Sequence, residues 1–198
     1  MQLVLASGNR GKLREFRQVF GSELLGWDEV TEPFEIREDA GSFAGNALIK
    51  ARALSEKLGP EYLVISDDSG ISVPLLGGEP GVYSARYAGE EATERQNLEK
   101  LIAELKARGV SRTPAYYTAA IALVGPLGEY VVHGWMHGDV IDEARGTRGF
   151  GYDPIFIPEG YEETLGELDD ALKSAISHRA KAIERIRPIL TLLQRRGM

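Results

Sequence analysis

Four short segments carry residue types that could do chemistry on a phosphorylated ligand. The first is Ser7-Gly8-Asn9-Arg10-Gly11-Lys12, between an apolar run and an amphipathic one. A strand, a glycine-containing turn and a helix N-terminus bearing a lysine can hold an anion, through backbone N–H groups, the helix dipole and a point charge. It is not a Walker A loop, because the two glycines are too close and Leu13 stands where Ser or Thr is required. The same residues also describe an ordinary strand–helix turn with a surface lysine. The second segment is Ser66-Asp67-Asp68-Ser69-Gly70, read as the end of a buried strand. Adjacent carboxylates there are costly unless a hard cation offsets their charge. The plainer alternative is an Asx turn.

The third segment is Gly149-Phe150-Gly151-Tyr152-Asp153-Pro154. Flanking glycines let the backbone approach a ligand, an aromatic ring can stack on a base, and a carboxylate can accept from a ring N–H. A glycine-rich turn with a core phenylalanine reads equally from the same letters. The fourth is Ser177-His178-Arg179, preceded by Lys173. It is either a capped helix start with exposed cations or a set of donors for a carbonyl or phosphate. His133 and His137 have an i,i+4 spacing, but glycines and valines around them indicate a strand, and no third zinc ligand is evident.

These segments need a scaffold that alternates strands and helices, and the periodicity supplies one. Residues 2–6 and 62–66 read as short buried strands. Residues 11–20 predict a helix with Leu13, Phe16, Val19 and Phe20 inward and Gly21 as its stop. Residues 43–58 predict another, with Phe43, Ala47, Leu48, Ala51, Leu54 and Leu58 inward and Gly59-Pro60 ending it. Residues 93–108 predict a third, opened by a Thr93/Gln96 capping box, with Leu98, Leu101, Ile102 and Leu105 as its stripe. Residues 115–124 and 130–141 predict a long antiparallel hairpin turning at 125–128. A last helix is expected from about Ser177 to about Arg196, with Pro188 kinking or breaking it. The expected class is α/β.

Composition narrows the function. The 198 residues carry net charge −7, with a pI near 5.1 and no cysteine. Acidity argues against a general nucleic-acid binder. The missing cysteine excludes disulfides, thiolate metal sites and cysteine nucleophiles. No segment reads as a secretory signal or membrane span, so the expectation is a cytoplasmic protein with no membrane partner. Charge is uneven: residues 21–45 hold seven acids and one base, and residues 173–198 hold seven bases and one acid. The basic end is a solvated helix face or a meeting point for an anionic ligand.

Taken in order, the segments resemble one family, the inosine triphosphate (dITP/XTP) pyrophosphatases. The resemblance runs from residue 3 to about residue 185. Its opening S/T-x-N-x-x-K-x-x-E pattern is matched by Ser7, Asn9, Lys12 and Glu15. An acidic stretch resembles Glu35 to Asp39, followed by Ser42-Phe43, Asn46-Ala47 and Lys50-Ala51. The D-D-S-G core is Asp67 to Gly70, with L-G-G-x-P-G-x-x-S-A-R at Leu76 to Arg86. The G-F-G-Y-D-P-I-F block is Gly149 to Phe156, and K-x-x-x-S-H-R is Lys173 to Arg179. Three features depart from the pattern: Gly45 replaces a usual Glu, Ala144 a usual Pro, and the Thr147-Arg148 pair adds a cation near the presumed base pocket.

The resemblance implies Mg²⁺-dependent hydrolysis of ITP, dITP and XTP to the monophosphate and pyrophosphate. It implies an elongated mixed β-sheet flanked by helices, one domain with two lobes and an active-site cleft between them, and a homodimer. It makes Asp68 the general base and a metal ligand, with Glu38 as a second acidic contributor. Asp67 would support Asp68 or bind metal through water. Residues 7–12 and Lys50 would hold the triphosphate, and Ser69 would also contact substrate. Phe150 would stack on the purine within the Phe150-Gly151-Tyr152-Asp153 block, and Asp153 would accept from ring N1–H. Lys173 and His178 would contact the base or sugar. Arg179, which only donates, would accept a C6 carbonyl as partner and reject the adenine amine. Guanine shares that carbonyl, so a further feature must disfavour its 2-amino group. A septum-type nucleotide pyrophosphatase would carry an Arg-Arg pair where Gly11-Lys12 stand. A non-hydrolysing nucleotide-binding regulator would not need an intact Asp67-Asp68.

Overall fold

The computed structural model describes residues 1–196. Its strands are β1 (Gln2–Leu5), β2 (Leu25–Gly26), β3 (Tyr62–Ser72), β4 (Arg112–Gly125), β5 (Gly128–Ile141) and β6 (Phe156–Pro158). Its helices are α1 (Arg10–Phe20), α2 (Phe43–Leu58), α3 (Glu94–Ala107), α4 (Asp170–Ile176) and α5 (His178–Arg196). The strands form a six-stranded sheet in the order β2-β1-β3-β4-β5-β6. β1 runs parallel to β2 and β3, and β5 antiparallel to β6, so the sheet is mixed and the α/β expectation holds.

The chain divides into two compact units. One comprises Met1–Asp68, Ala119–Gly134 and the chain from Lys181; the other comprises Ser69–Thr118 and Trp135–Ala180. In the first unit the register Leu3↔Leu63, Val4↔Val64, Leu5↔Ile65 places matching residues on matching faces. Leu3, Leu5, Leu63 and Ile65 pack with Phe16 of α1 and with Ala182, Ile183 and Ile186 of α5. Val4, Ala6 and Val64 pack with Ala47, Ala51 and Leu54 of α2. Odd positions of β3 therefore face α1 and α5, and even positions face α2. The second unit has its own core, with Leu101 and Leu105 of α3, Ile71, Tyr117, Val140 and Phe156.

Local signals explain most element ends. Asn9 caps α1, Ser42 caps α2, and Thr93 with Gln96 forms the capping box of α3. Gly21 and Gly59 end the first two helices. β4 and β5 are joined by residues 126–127 alone, the tight link of an antiparallel hairpin.

Several expectations need correction. The strand expected to stop at residue 66 continues to Ser72, so the adjacent carboxylates lie within it. Its pairing with β1 ends at Ile65, and Asp67 follows where the β1 neighbour has already left. The charged residues thus mark the end of the partner strand rather than of β3. Val19 is 37% exposed, not inward, because the apolar stripe of α1 centres on Phe16. α4 was not anticipated; it is short, acidic at its start and fully buries no side chain, half-burying Leu172 and Ile176 against the core. α5 runs unbroken through Pro188, although a proline there lacks the N–H that would bond to Glu184.

Candidate active site

The parity of β3 decides which cation meets which carboxylate. Asp67 is odd and shares a face with Ile65, toward α1. Lys12, in the first turn of α1, places its Nζ 3.0 Å from Asp67 Oδ1. Asp67 is only 1% exposed, so this ion pair compensates a buried charge. Asp68 is even and faces α2, as does Ser66, whose hydroxyl donates to the Ala47 carbonyl at 2.5 Å. From α2, Asn46 Nδ2 donates to Asp68 Oδ2 at 3.0 Å, and Lys50 Nζ lies 3.8 Å from Asp68 Oδ1. The same ammonium is 2.7 Å from Glu38 Oε2. Asn46 and Lys50 are four residues apart on one helix face, which is why a single helix delivers both to one carboxylate. Asn46 in turn accepts from the Ala40 N–H at 3.0 Å, tying the acidic 35–39 segment to the helix.

Burial pushes the Asp68 carboxyl above the usual carboxylate range, opposed by Lys50 and the Asn46 hydrogen bond. A half-buried carboxylate with a raised pKa, held by one amide and one ammonium, has the character of a proton acceptor poised nearer neutrality. Asp67, on the opposite face, serves instead to fix Lys12.

The 7–12 loop is arranged differently from the simple cradle that its letters suggest. Asn9 Oδ1 accepts from the Gly11 and Lys12 N–H groups at 2.8 and 3.1 Å, and Ser7 Oγ accepts from the Asn9 N–H at 3.2 Å. These donors cap the helix internally. Gly8 and Arg10 are exposed, and Lys12 is the loop's principal point charge toward the carboxylates.

A second cluster lies in the other unit. Asp153 is 4% exposed and accepts from the Phe150 N–H at 2.8 Å and, through a very short contact, from Lys173 Nζ. Burial raises its carboxyl, and Lys173 opposes this most strongly. Lys173 Nζ also sits over the Phe150 ring, 4.5 Å from its centroid, while that ring is 51% exposed. An exposed aromatic face, pinned by a cation beneath and a backbone bond beside it, is a ready stacking platform. The Gly151 N–H donates to Glu94 Oε2 at 3.1 Å, securing the loop from the start of α3. Tyr152 is buried and donates its hydroxyl to the Ser84 carbonyl at 2.8 Å, so only its main chain is left to face a ligand.

At the start of α5, Ser177 Oγ accepts from the Ala180 N–H at 3.0 Å, capping the helix. His178 and Arg179 are both buried. The His178 ring stacks on Tyr117 at 4.8 Å and 11°. Arg179 Nη2 donates to Ser69 Oγ at 3.1 Å, and Ser69 is the residue after Asp68. Sequence reasoning assigned no role to Asn46, Glu94 or Tyr117. Only Asn46 had a signal, its place in the matched Asn46-Ala47 pair and its helical spacing to Lys50.

The backbone of the 149–153 loop depends on a glycine. Gly149 has φ +78°, and a Cβ there would lie 2.1 Å from Asp153 Oδ2 and 2.8 Å from Lys173 Nζ. Gly149→Ala is expected to cost roughly 1–3 kcal/mol from the left-handed backbone alone. It should also separate Asp153 from Lys173. Thermal melting should fall by several degrees, and an unchanged melting temperature would refute the packing argument.

Comparison with known proteins agrees with this organisation. The Ham1 family profile matches residues 3–189. A dITP/XTP pyrophosphatase of Sulfurovum sp. (strain NBC37-1) is 62% identical over 199 residues, covering 98% of this chain and 95% of the relative. One from Nautilia profundicola is 57% identical, covering 93% and 94%. The structure of the Staphylococcus aureus Ham1 protein superposes with a TM-score of 0.87 at 37% identity, covering 96% of this chain and 98% of that one. With a profile spanning nearly its whole length and relatives above half identity, the chain belongs to the Ham1 family.

Proposed function

We propose that this protein hydrolyses non-standard purine nucleoside triphosphates, ITP, dITP and XTP, to the monophosphate and pyrophosphate, clearing them from the nucleotide pool. It is a nucleoside triphosphate pyrophosphohydrolase. The observation that carries the reading is the parity of β3, which sets two adjacent carboxylates, one buried and one half-buried, against two different lysines. Support also comes from relatives that bear the name dITP/XTP pyrophosphatase over nearly the full length.

Cleavage between the α- and β-phosphates needs an attacking water, a group to take its proton and cations on the phosphate oxygens. Asp68 takes the proton. Lys12, aimed by Asp67, and Lys50 hold phosphate oxygens, together with residues 7–11. The 150–153 loop, Lys173, His178 and Arg179 take the purine: Phe150 stacks on it, and Arg179 donates to the C6 carbonyl. Asp153 acts on the base edge directly or by holding Phe150 and Lys173.

Among the described residues no group of three or more His, Asp or Glu side chains is arranged to hold a metal. Mg²⁺ does not need one, since it commonly binds through one or two carboxylates, with phosphate oxygens and waters completing its shell. Glu38 and Asp68, both on the Lys50 ammonium, fit as that pair. When bound, the ion neutralises phosphate charge and lowers the pKa of a coordinated water. No helix of the described residues is long and apolar enough to cross a membrane. We assign the protein to the cytoplasm, as a homodimer.

The test is a panel of nucleoside triphosphates assayed for pyrophosphate and orthophosphate, with Mg²⁺ and with EDTA. Pyrophosphate from ITP, dITP and XTP, and little turnover of ATP, is expected. Orthophosphate as the first product would remove the assignment, and full activity in EDTA would remove the metal.

A further inference from the structure

We propose that Tyr117, which lies in none of the sequence motifs, is a positioning residue that fixes the geometry of base recognition. This rests on the reading that His178 and the 150–153 loop contact the purine. Tyr117 lies on β4 and is buried. One neighbour of its ring is Phe156, a fully buried side chain packed edge-on at 4.8 Å and 63°. Another is the imidazole of His178, nearly parallel at 4.8 Å and 11°.

The torsion that turns an imidazole about its Cβ–Cγ bond is broad and has no sharply preferred plane of its own. A parallel aromatic ring, itself held by Phe156, supplies that plane. The plane decides where both ring nitrogens point, and therefore what His178 can offer a base. Burial raises the Tyr117 phenol well above its usual value, and the nearby charge of Asp153 adds to this. Asp153 in turn accepts from the Phe150 N–H and the Lys173 ammonium. One side chain thus braces the start of α5 with its ring and sets its hydroxyl near the carboxylate that holds the 150–153 loop. Loss of the ring or of the hydroxyl leaves the reacting phosphates untouched and disturbs only the base end.

Two variants separate the ring from the hydroxyl. Tyr117→Phe keeps the stack and removes the hydroxyl; Tyr117→Leu keeps bulk and apolarity and removes the aromatic plane. With ITP, Tyr117→Phe should raise KM about threefold and Tyr117→Leu about tenfold, both with kcat within about twofold of wild type. The preference for ITP over ATP should shrink in the same order. With only three histidines in the chain, ring-proton NMR gives a direct readout. The His178 ring protons should lie upfield of those of His133 in wild type and in Tyr117→Phe, and lose that shift in Tyr117→Leu.

His178→Ala is the control for the underlying reading. If it raises the KM for ITP while both Tyr117 variants leave KM within twofold, base recognition stands and the positioning role is overturned. If His178→Ala leaves KM unchanged, the base reading itself fails and takes this inference with it. Should Tyr117→Leu not fold, the wild-type His178 shift and the Tyr117→Phe kinetics decide alone. Absence of the upfield shift, or parallel losses in kcat for ITP and ATP, overturns the proposal.

Discussion

Asp68→Asn should lower kcat for ITP by about 10²–10⁴-fold, the usual contribution of a general base, while nucleotide still binds. Asparagine keeps the shape of the side chain and can still pair with Asn46, so the loss reports proton transfer rather than collapse of the site. Isothermal titration with ITP should give a Kd within a few-fold of the wild-type value. Turnover near the wild-type rate would remove Asp68 from the role.

The same variant carries a stability signature of definite sign. Burial raises the Asp68 carboxyl in the folded protein above its ordinary value. Between those two values the folded state binds more protons than the unfolded state, so stability falls as pH rises through the folded pKa. Ionised Asp68 is therefore a burden at neutral pH that Asp68→Asn relieves. In EDTA at pH 7 the variant should melt at or above the wild-type temperature. The wild type should close the gap as the pH is lowered into the carboxylate range. A variant clearly less stable than wild type at pH 7 would show that the Lys50 pairing outweighs desolvation. A site that spends folding stability to keep an ionised base is the familiar exchange between stability and activity.

Arg179→Ala should cost about 100-fold in kcat/KM for ITP and change ATP far less, compressing the ratio between them. Arginine offers donors and no acceptor, so it suits a C6 carbonyl and opposes a C6 amine. Arg179→Lys should recover part of the ITP rate and little of the discrimination, because a flexible ammonium does not reproduce a planar guanidinium. Arg179 also bonds to Ser69, next to Asp68, so some general loss is expected through that contact. Equal losses with ITP and ATP would assign Arg179 to holding Ser69 of β3 instead of to the base.

Much of this was legible in the letters. The extent of α2 follows from Ser42 and Gly59, the start of α3 from Thr93 and Gln96, and the hairpin from its glycine-flanked turn. The residues of the two clusters were identifiable by type. Their pairing was not. That Lys12 meets Asp67 and Lys50 meets Asp68 depends on the register of β1 with β3, which is a property of two strands together. The extension of β3 past Ser66 was hidden because an apolar run ends where the β1 neighbour ends, and charges there mimic a turn. Tyr117 gave no sign because a tyrosine in a strand is ordinary; only Phe156 and His178, distant in sequence, make it specific. α4 escaped because it is short and its apolar contact is only Leu172 and Ile176, too few positions to make a periodic stripe.

The alternation along β3 also bears on insertions and deletions. A point substitution at residues 62–66 changes one contact, but loss or gain of a single residue there would invert the strand's parity beyond it. The carboxylate now facing α1 would turn to α2, and its neighbour would turn the other way. Changes of two residues would keep each carboxylate on its own face while sliding both by one pleat. The short stretch between Tyr62 and Asp67 is therefore a segment whose length, more than its composition, is under constraint. Apolar residues can be exchanged within it, but their number cannot change by one.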